Sequence, residues 1–64
     1  MGSHLTLARA HVEKGREIVA RQRVLIGRIR ALRADPTQAE DLLAQFERTL
    51  KVFEDDLAHL EQTG

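Results

Sequence analysis

Cysteine, tryptophan and tyrosine are absent from this chain of 64 residues, and proline and methionine occur once each. The missing cysteine excludes disulfides and thiolate metal sites and leaves the redox compartment unreadable. No apolar run approaches the ~20 residues of a membrane span, and no secretory h-region is present. Net charge is missing too, because ten Lys and Arg balance ten Asp and Glu. The two aromatics, Phe46 and Phe53, do not sit among outward arginines where they could stack on bases. No glycine-rich phosphate loop, Ser/His/Asp order or other catalytic signature occurs. The chain is therefore expected to be no enzyme and to take no cofactor. A chain of about 60 residues buries only roughly 60% of the surface its unfolded form exposes. Such chains lean on disulfides, a metal or a partner chain, and here oligomerisation is the remaining support.

What is present is helical. Ala, Leu, Arg, Glu and Gln dominate. Residues 1–4, Met1-Gly2-Ser3-His4, read as a cloning remnant. They also fit a myristoylation pattern with Thr6 in its last place, but no polybasic segment or second lipid signal accompanies it. The strong punctuation is "RADPTQAE", Arg33 to Glu40. Pro36 cannot continue a preceding helix and pushes Asp35 out of helical geometry. A second helix has two overlapping starts. Asp35 can cap it with Pro36 at the first helical position, or Thr37 can cap it with Glu40 closing a capping box. The expectation is a single αα-hairpin over residues 5–62, with a helix over about 5–33, a turn at 34–36 and a helix over about 37–62. Each helix would be roughly 40 Å long at 1.5 Å per residue.

Both helices carry a near-heptad pattern. In the first, position a falls on Leu5, Val12, Val19 and Ile26, and d on Ala8, Gly15, Gln22 and Ile29. In the second, a falls on Leu43, Leu50 and Leu57, and d on Ala39, Phe46, Phe53 and Leu60. Position e then holds Arg9, Arg16, Arg23 and Arg30 in the first helix and Glu40, Glu47, Glu54 and Glu61 in the second. Antiparallel helices bring their e positions together. One register satisfies Arg30–Glu40, Arg23–Glu47, Arg16–Glu54 and Arg9–Glu61 within a single chain. The same folding sets Gly15 near Phe53, Ala8 near Leu60, Gln22 near Phe46 and Ile29 near Ala39, so that small mostly faces large. The charge blocks agree. Residues 1–34 carry eight basic residues against Glu13 and Glu17, and residues 35–64 carry eight acidic residues against Arg48 and Lys51. The two halves neutralise each other, so the arginines are expected to be structural. Exposed pairs contribute about 0–1 kcal/mol each, so they set register more than stability.

The opposite flank, position g, carries Ile18, Leu25 and Leu32 from the first helix and Leu42 from the second. An isolated hairpin would expose all four, and burying each contributes about 1.5–3 kcal/mol. A contiguous apolar strip marks an interface. The expected solution is a homodimer, two hairpins packed as a four-helix bundle with two-fold symmetry. Another protein docking on the same flank is the other possibility for a partner.

His11 and His59 fall at the same height of such a hairpin, and Asp56-x-x-His59 has a spacing used by di-metal bundles. Those sites need several buried glutamates, which this core lacks. A phosphoacceptor histidine, as in phosphotransfer bundles, is a rival reading, although "HVEKGREI" does not match the usual motif. Two partly exposed histidines is the plain reading. Gln22 in the seam reads as a register-fixing polar residue. Lys14, Arg21 and Arg28 share the outer position c and form a modest basic stripe, more simply a solvated face.

In architecture the expected dimer resembles the Rop-type RNA-binding hairpin dimers that regulate plasmid copy number, which makes a nucleic-acid-binding regulator the alternative function. "HVEKGREIVARQRVLIGRIRAL" followed by "AEDLLAQFERTLKVFEDDLAHL" resembles small bacterial helical-hairpin proteins of this length and pattern. That resemblance implies a cytoplasmic helical protein and carries over no functional residue.

Overall fold

The structure, a computed structural model, describes residues 3–63. Helix α1 spans Ser3–Ala31 and helix α2 spans Thr37–Thr63. They pack against each other as an antiparallel hairpin with Cα extents of 49 × 16 × 12 Å. Of the residues expected to be a cloning remnant, Met1 and Gly2 lie outside the described residues. Ser3 and His4 already belong to α1. No helix among the described residues is long and apolar enough to cross a membrane.

The first helix ends two residues earlier than the sequence pattern suggests, at Ala31 rather than near Arg33. The cause is Arg33, which adopts a left-handed backbone with φ of 59°. That flip turns the Arg33 N–H back to Arg30 O at 2.9 Å and the Ala34 N–H to Ile29 O at 3.0 Å. These two bonds form a Schellman motif, which satisfies the last carbonyls of the helix. Glycine usually holds this position because a Cβ is strained there.

The two competing starts of α2 resolve in favour of Asp35. Its Oδ1 accepts the Thr37 N–H at 3.0 Å and the Thr37 Oγ1–H at 2.6 Å. The Pro36 carbonyl already takes part in the helical ladder, accepting from the Glu40 N–H at 2.8 Å. Pro36 therefore opens the helix, where its missing N–H costs nothing. Glu40 does not close a box on Thr37, because its carboxylate is held by Arg30.

Within the seam the nearest neighbour of Gly15 is Leu50, while Phe53 lines the same groove as Gly15 and Ala8 lines one groove with Leu60. Reversing one helix interleaves its a positions with the d positions of the other, so a d residue such as Gly15 meets an a residue such as Leu50. Gln22 is buried, at 7% exposure, and its Nε2 donates to the Ala39 carbonyl at 2.9 Å. The carbonyl has a second lone pair free for this bond. No described buried side-chain N or O atom lacks a hydrogen-bond partner.

Burial is unequal between the helices. The buried side chains among the described residues are Val12, Val19, Ile26 and Gln22, all on α1. The bulkier Leu43, Phe46, Leu50, Phe53, Leu57 and Leu60 of α2 remain half-buried. Two helices can shield only the middle of one seam. Short β-branched side chains end there, whereas phenylalanine and leucine spill onto the flanks.

Candidate interaction surface

The two flanks of the hairpin are finished differently. On the e side stands a ladder of four ion pairs. Arg9 Nη2 lies 3.7 Å from Glu61 Oε2, Arg16 Nη2 lies 3.2 Å from Glu54 Oε2, and Arg23 Nη2 lies 2.9 Å from Glu47 Oε2. Arg30 and Glu40 complete the row next to the turn. All eight side chains stay well exposed, so solvent screens each pair and the ladder adds little to stability. Its geometry is specific nonetheless, because a one-residue rotation of either helix would remove every pair.

The g side has no such row. Leu25 is 44% exposed, Leu42 40% and Leu32 80%. Ile18 is half-buried, because it leans into a groove between the helices. That groove has a volume of about 120 Å³ and opens to solvent, and its floor and walls include His11, Gly15, Ile18, Phe46, Leu50 and Phe53. A second groove continues it toward the open end of the hairpin, past Leu7, Ala8 and Leu60. The sequence pattern assigned Phe46 and Phe53 to the seam and so missed their part in this surface. The signal was available, since position d borders position g on the helix wheel. Leu7, at position c, also joins the surface, and Val24, which shares a shallow groove with Leu25, and Val52 are further exposed apolar residues.

The histidines take separate places. The His11 ring packs on Phe53 with centroids 5.0 Å apart and planes inclined by 38°. This contact makes His11 one wall of the apolar groove. His59 lies on the exposed surface of α2. Among the described residues no group of three or more His, Cys, Asp or Glu side chains is placed to hold a metal ion. On the outer face, Arg21 is engaged by Glu17 one turn earlier, so the stripe of Lys14, Arg21 and Arg28 is partly neutralised. Lys51 likewise pairs with Asp55 at 3.4 Å.

The amount of open surface can be judged from the mass. The hairpin exposes 5112 Å². A compact monomer of 7.2 kDa exposes roughly 4,100 Å² by the usual scaling of surface with mass. The excess, about 1,000 Å², is comparable to what one partner contributes to a standard protein interface. Comparison of the chain with protein-family models, curated proteins and solved structures finds no match, so the meaning of this surface rests on its own geometry.

Proposed function

We propose that this chain is a small self-associating helical module of the cytoplasm. Two copies pack through their apolar flanks into a four-helix bundle, and the bundle serves as an interaction or regulatory unit, not as an enzyme. The observation that carries this reading is the contrast between the flanks. One is closed by Arg9, Arg16, Arg23 and Arg30 on their glutamates, while the other leaves Leu25, Leu32 and Leu42 at least 40% exposed beside an apolar groove. Magnitudes favour the apolar side. Fully burying a leucine or isoleucine contributes about 1.5–3 kcal/mol, against 0–1 for an exposed ion pair. A nucleic-acid-binding role draws less support, because the formal net charge is zero and Arg21 is already paired.

The test is sedimentation equilibrium with circular dichroism on the parent and on Leu25→Glu. The parent should sediment as a dimer at micromolar concentration and melt at a temperature that rises with concentration. Leu25→Glu sets a charge in a desolvated interface, a cost of several kcal/mol. With so small a core per chain, the variant should dissociate and lose most of its helicity. A parent that is a folded monomer at micromolar concentration would refute self-association.

A further inference from the structure

The groove between Phe46 and Phe53 has the dimensions of a binding site. These two residues stand two helical turns apart, about 10.5 Å along the axis of α2. Leu50 lies between them, and Gly15 and Ile18 line the groove from α1. Gly15 brings no side chain to this level, so the gap between the two rings is not filled from the opposite helix.

Volume and spacing agree on what fits. The groove measures about 120 Å³. An apolar cavity of roughly 150 Å³ takes up one benzene molecule. A ring placed midway between Phe46 and Phe53 would lie about 5 Å from each, inside the range of roughly 4.5–7 Å at which aromatic rings attract. The Phe53 ring is itself braced by His11, with centroids 5.0 Å apart.

Charge at the rim selects the ligand further. Lys14 lines the same groove, is exposed, and joins no ion pair among the described residues. Glu17, one turn along α1, is held by Arg21. No carboxylate lines this groove among the described residues, since Asp56 belongs to the adjoining one beyond Phe53. The Thr49 hydroxyl, also in the lining, donates to the Gln45 carbonyl at 3.1 Å, so its proton is already committed. Lys14 is therefore the fixed positive charge beside an otherwise apolar slot.

We propose that this groove binds a small aromatic acid, its ring between Phe46 and Phe53 and its anionic group at the Lys14 ammonium. The inference goes beyond self-association and does not need it, because one hairpin forms the whole groove. A second copy laid on the flank either leaves the groove as a cavity or fills it with a side chain of its own; the filled case is a result that overturns the proposal.

The probe is phenylacetate, with phenethylamine as its charge-reversed counterpart. Each is titrated into the isotope-labelled full chain and followed by amide chemical shifts, after sedimentation has established whether the sample is monomer or dimer. The acid should bind saturably, with a dissociation constant on the order of 1 mM for so small a ligand. The amides of Gly15, Ile18, Thr49 and Leu50 should shift, and the probe's ring protons should show Overhauser contacts to the rings of Phe46 and Phe53. Lys14→Glu, at an exposed position, should weaken the acid and strengthen the amine by about fivefold each, the size of one exposed charge contact. Thr49→Trp, which sets an indole at the groove, should remove binding of both while circular dichroism shows the helices intact. No saturable shift at these residues in the folded parent overturns the site, whether the sample is monomer or dimer. Equal binding of acid and amine by the parent overturns the role of Lys14 and with it the ligand class.

Discussion

Two glycines lie inside α1, and their surroundings differ enough to measure one contact. A Cβ added at Gly27 meets nothing within 4 Å. A Cβ added at Gly15 lies 3.0 Å from Leu50 Cδ1, with Leu50 Cβ and Cγ at 3.7 and 3.8 Å. Alanine removes the same backbone handicap at both positions, roughly 1 kcal/mol per helical glycine. At Gly27 nothing opposes that gain, so Gly27→Ala should stabilise by about 1 kcal/mol. For a domain of this size that raises Tm by roughly 4–8 °C. At Gly15 the Leu50 methyl must retreat by a few tenths of an ångström. It is the far end of a flexible side chain beside an open groove, so it can move. Displacing a side chain from its rotamer well costs about 0.5–1.5 kcal/mol. Gly15→Ala should therefore come out near neutral, about 1 kcal/mol below Gly27→Ala. Gly15→Leu adds a whole side chain against Leu50 and should destabilise by about 1–3 kcal/mol through overpacking. Thermal and urea unfolding followed by circular dichroism, at one fixed protein concentration, measure all three. If Gly15→Ala gains as much as Gly27→Ala, Leu50 does not press on this position and the seam register is wrong.

Three further outcomes are expected. Arg33→Gly relieves a left-handed backbone that costs an L-residue about 1–2 kcal/mol, and the added freedom of the unfolded glycine leaves a net gain of about 0.5–1 kcal/mol; a lower Tm would mean that Arg33 is not left-handed in the folded chain. Arg23→Glu should cost about 1 kcal/mol or less, and pairing it with Glu47→Arg should restore stability, as a double-mutant cycle in urea would report. The hydrogen bonds from Thr37 hold the Asp35 carboxyl below the usual carboxylate range. A depressed folded value means that its capping contribution is complete above the unfolded pKa and fades as pH falls below about 4. Asp35→Asn accepts the same Thr37 donors without titrating, so its Tm should fall less steeply than the parent's between pH 5 and 3; parallel profiles would remove Asp35 from the acid transition.

Much of this arrangement is legible in the sequence for a physical reason. Arg9, Arg16, Arg23 and Arg30 recur every seven residues, and so do Glu40, Glu47, Glu54 and Glu61. Repetition makes one register satisfy all four pairs at once, and single-residue errors cannot imitate it. The turn is legible because Asp-Pro constrains two successive residues. The end of α1 is not, because Arg33 takes a conformation that glycine would have announced. The nearest neighbour of Gly15 was also hidden. A heptad fixes which residues point inward, but which a meets which d depends on how the reversed helix is set along the axis. The part of Phe46 and Phe53 in the open groove was obscured for a related reason. A d residue reads as core, yet in a seam of only two helices its outer half has no cover.

The ladder alone does not explain why the chain folds back on itself. If α1 and α2 ran on as one long helix, two such chains lying antiparallel could form the same four Arg–Glu pairs between them, with similar apolar layers. The pairs specify which helix faces meet, and they are indifferent to whether one chain or two supplies the faces. The choice is made in the five residues between Ala31 and Thr37. A continuous helix would need Arg33 to give up the Schellman bonds, Asp35 to give up the Thr37 donors, and Pro36 to sit in a helix interior. The last alone costs about 3 kcal/mol or more, since the ring removes a ladder hydrogen bond and strikes the preceding turn. That cost exceeds what any one exposed ion pair returns. Closure within the chain is therefore decided at the turn and register along the ladder, which leaves the apolar flank as the surface still available for a second copy.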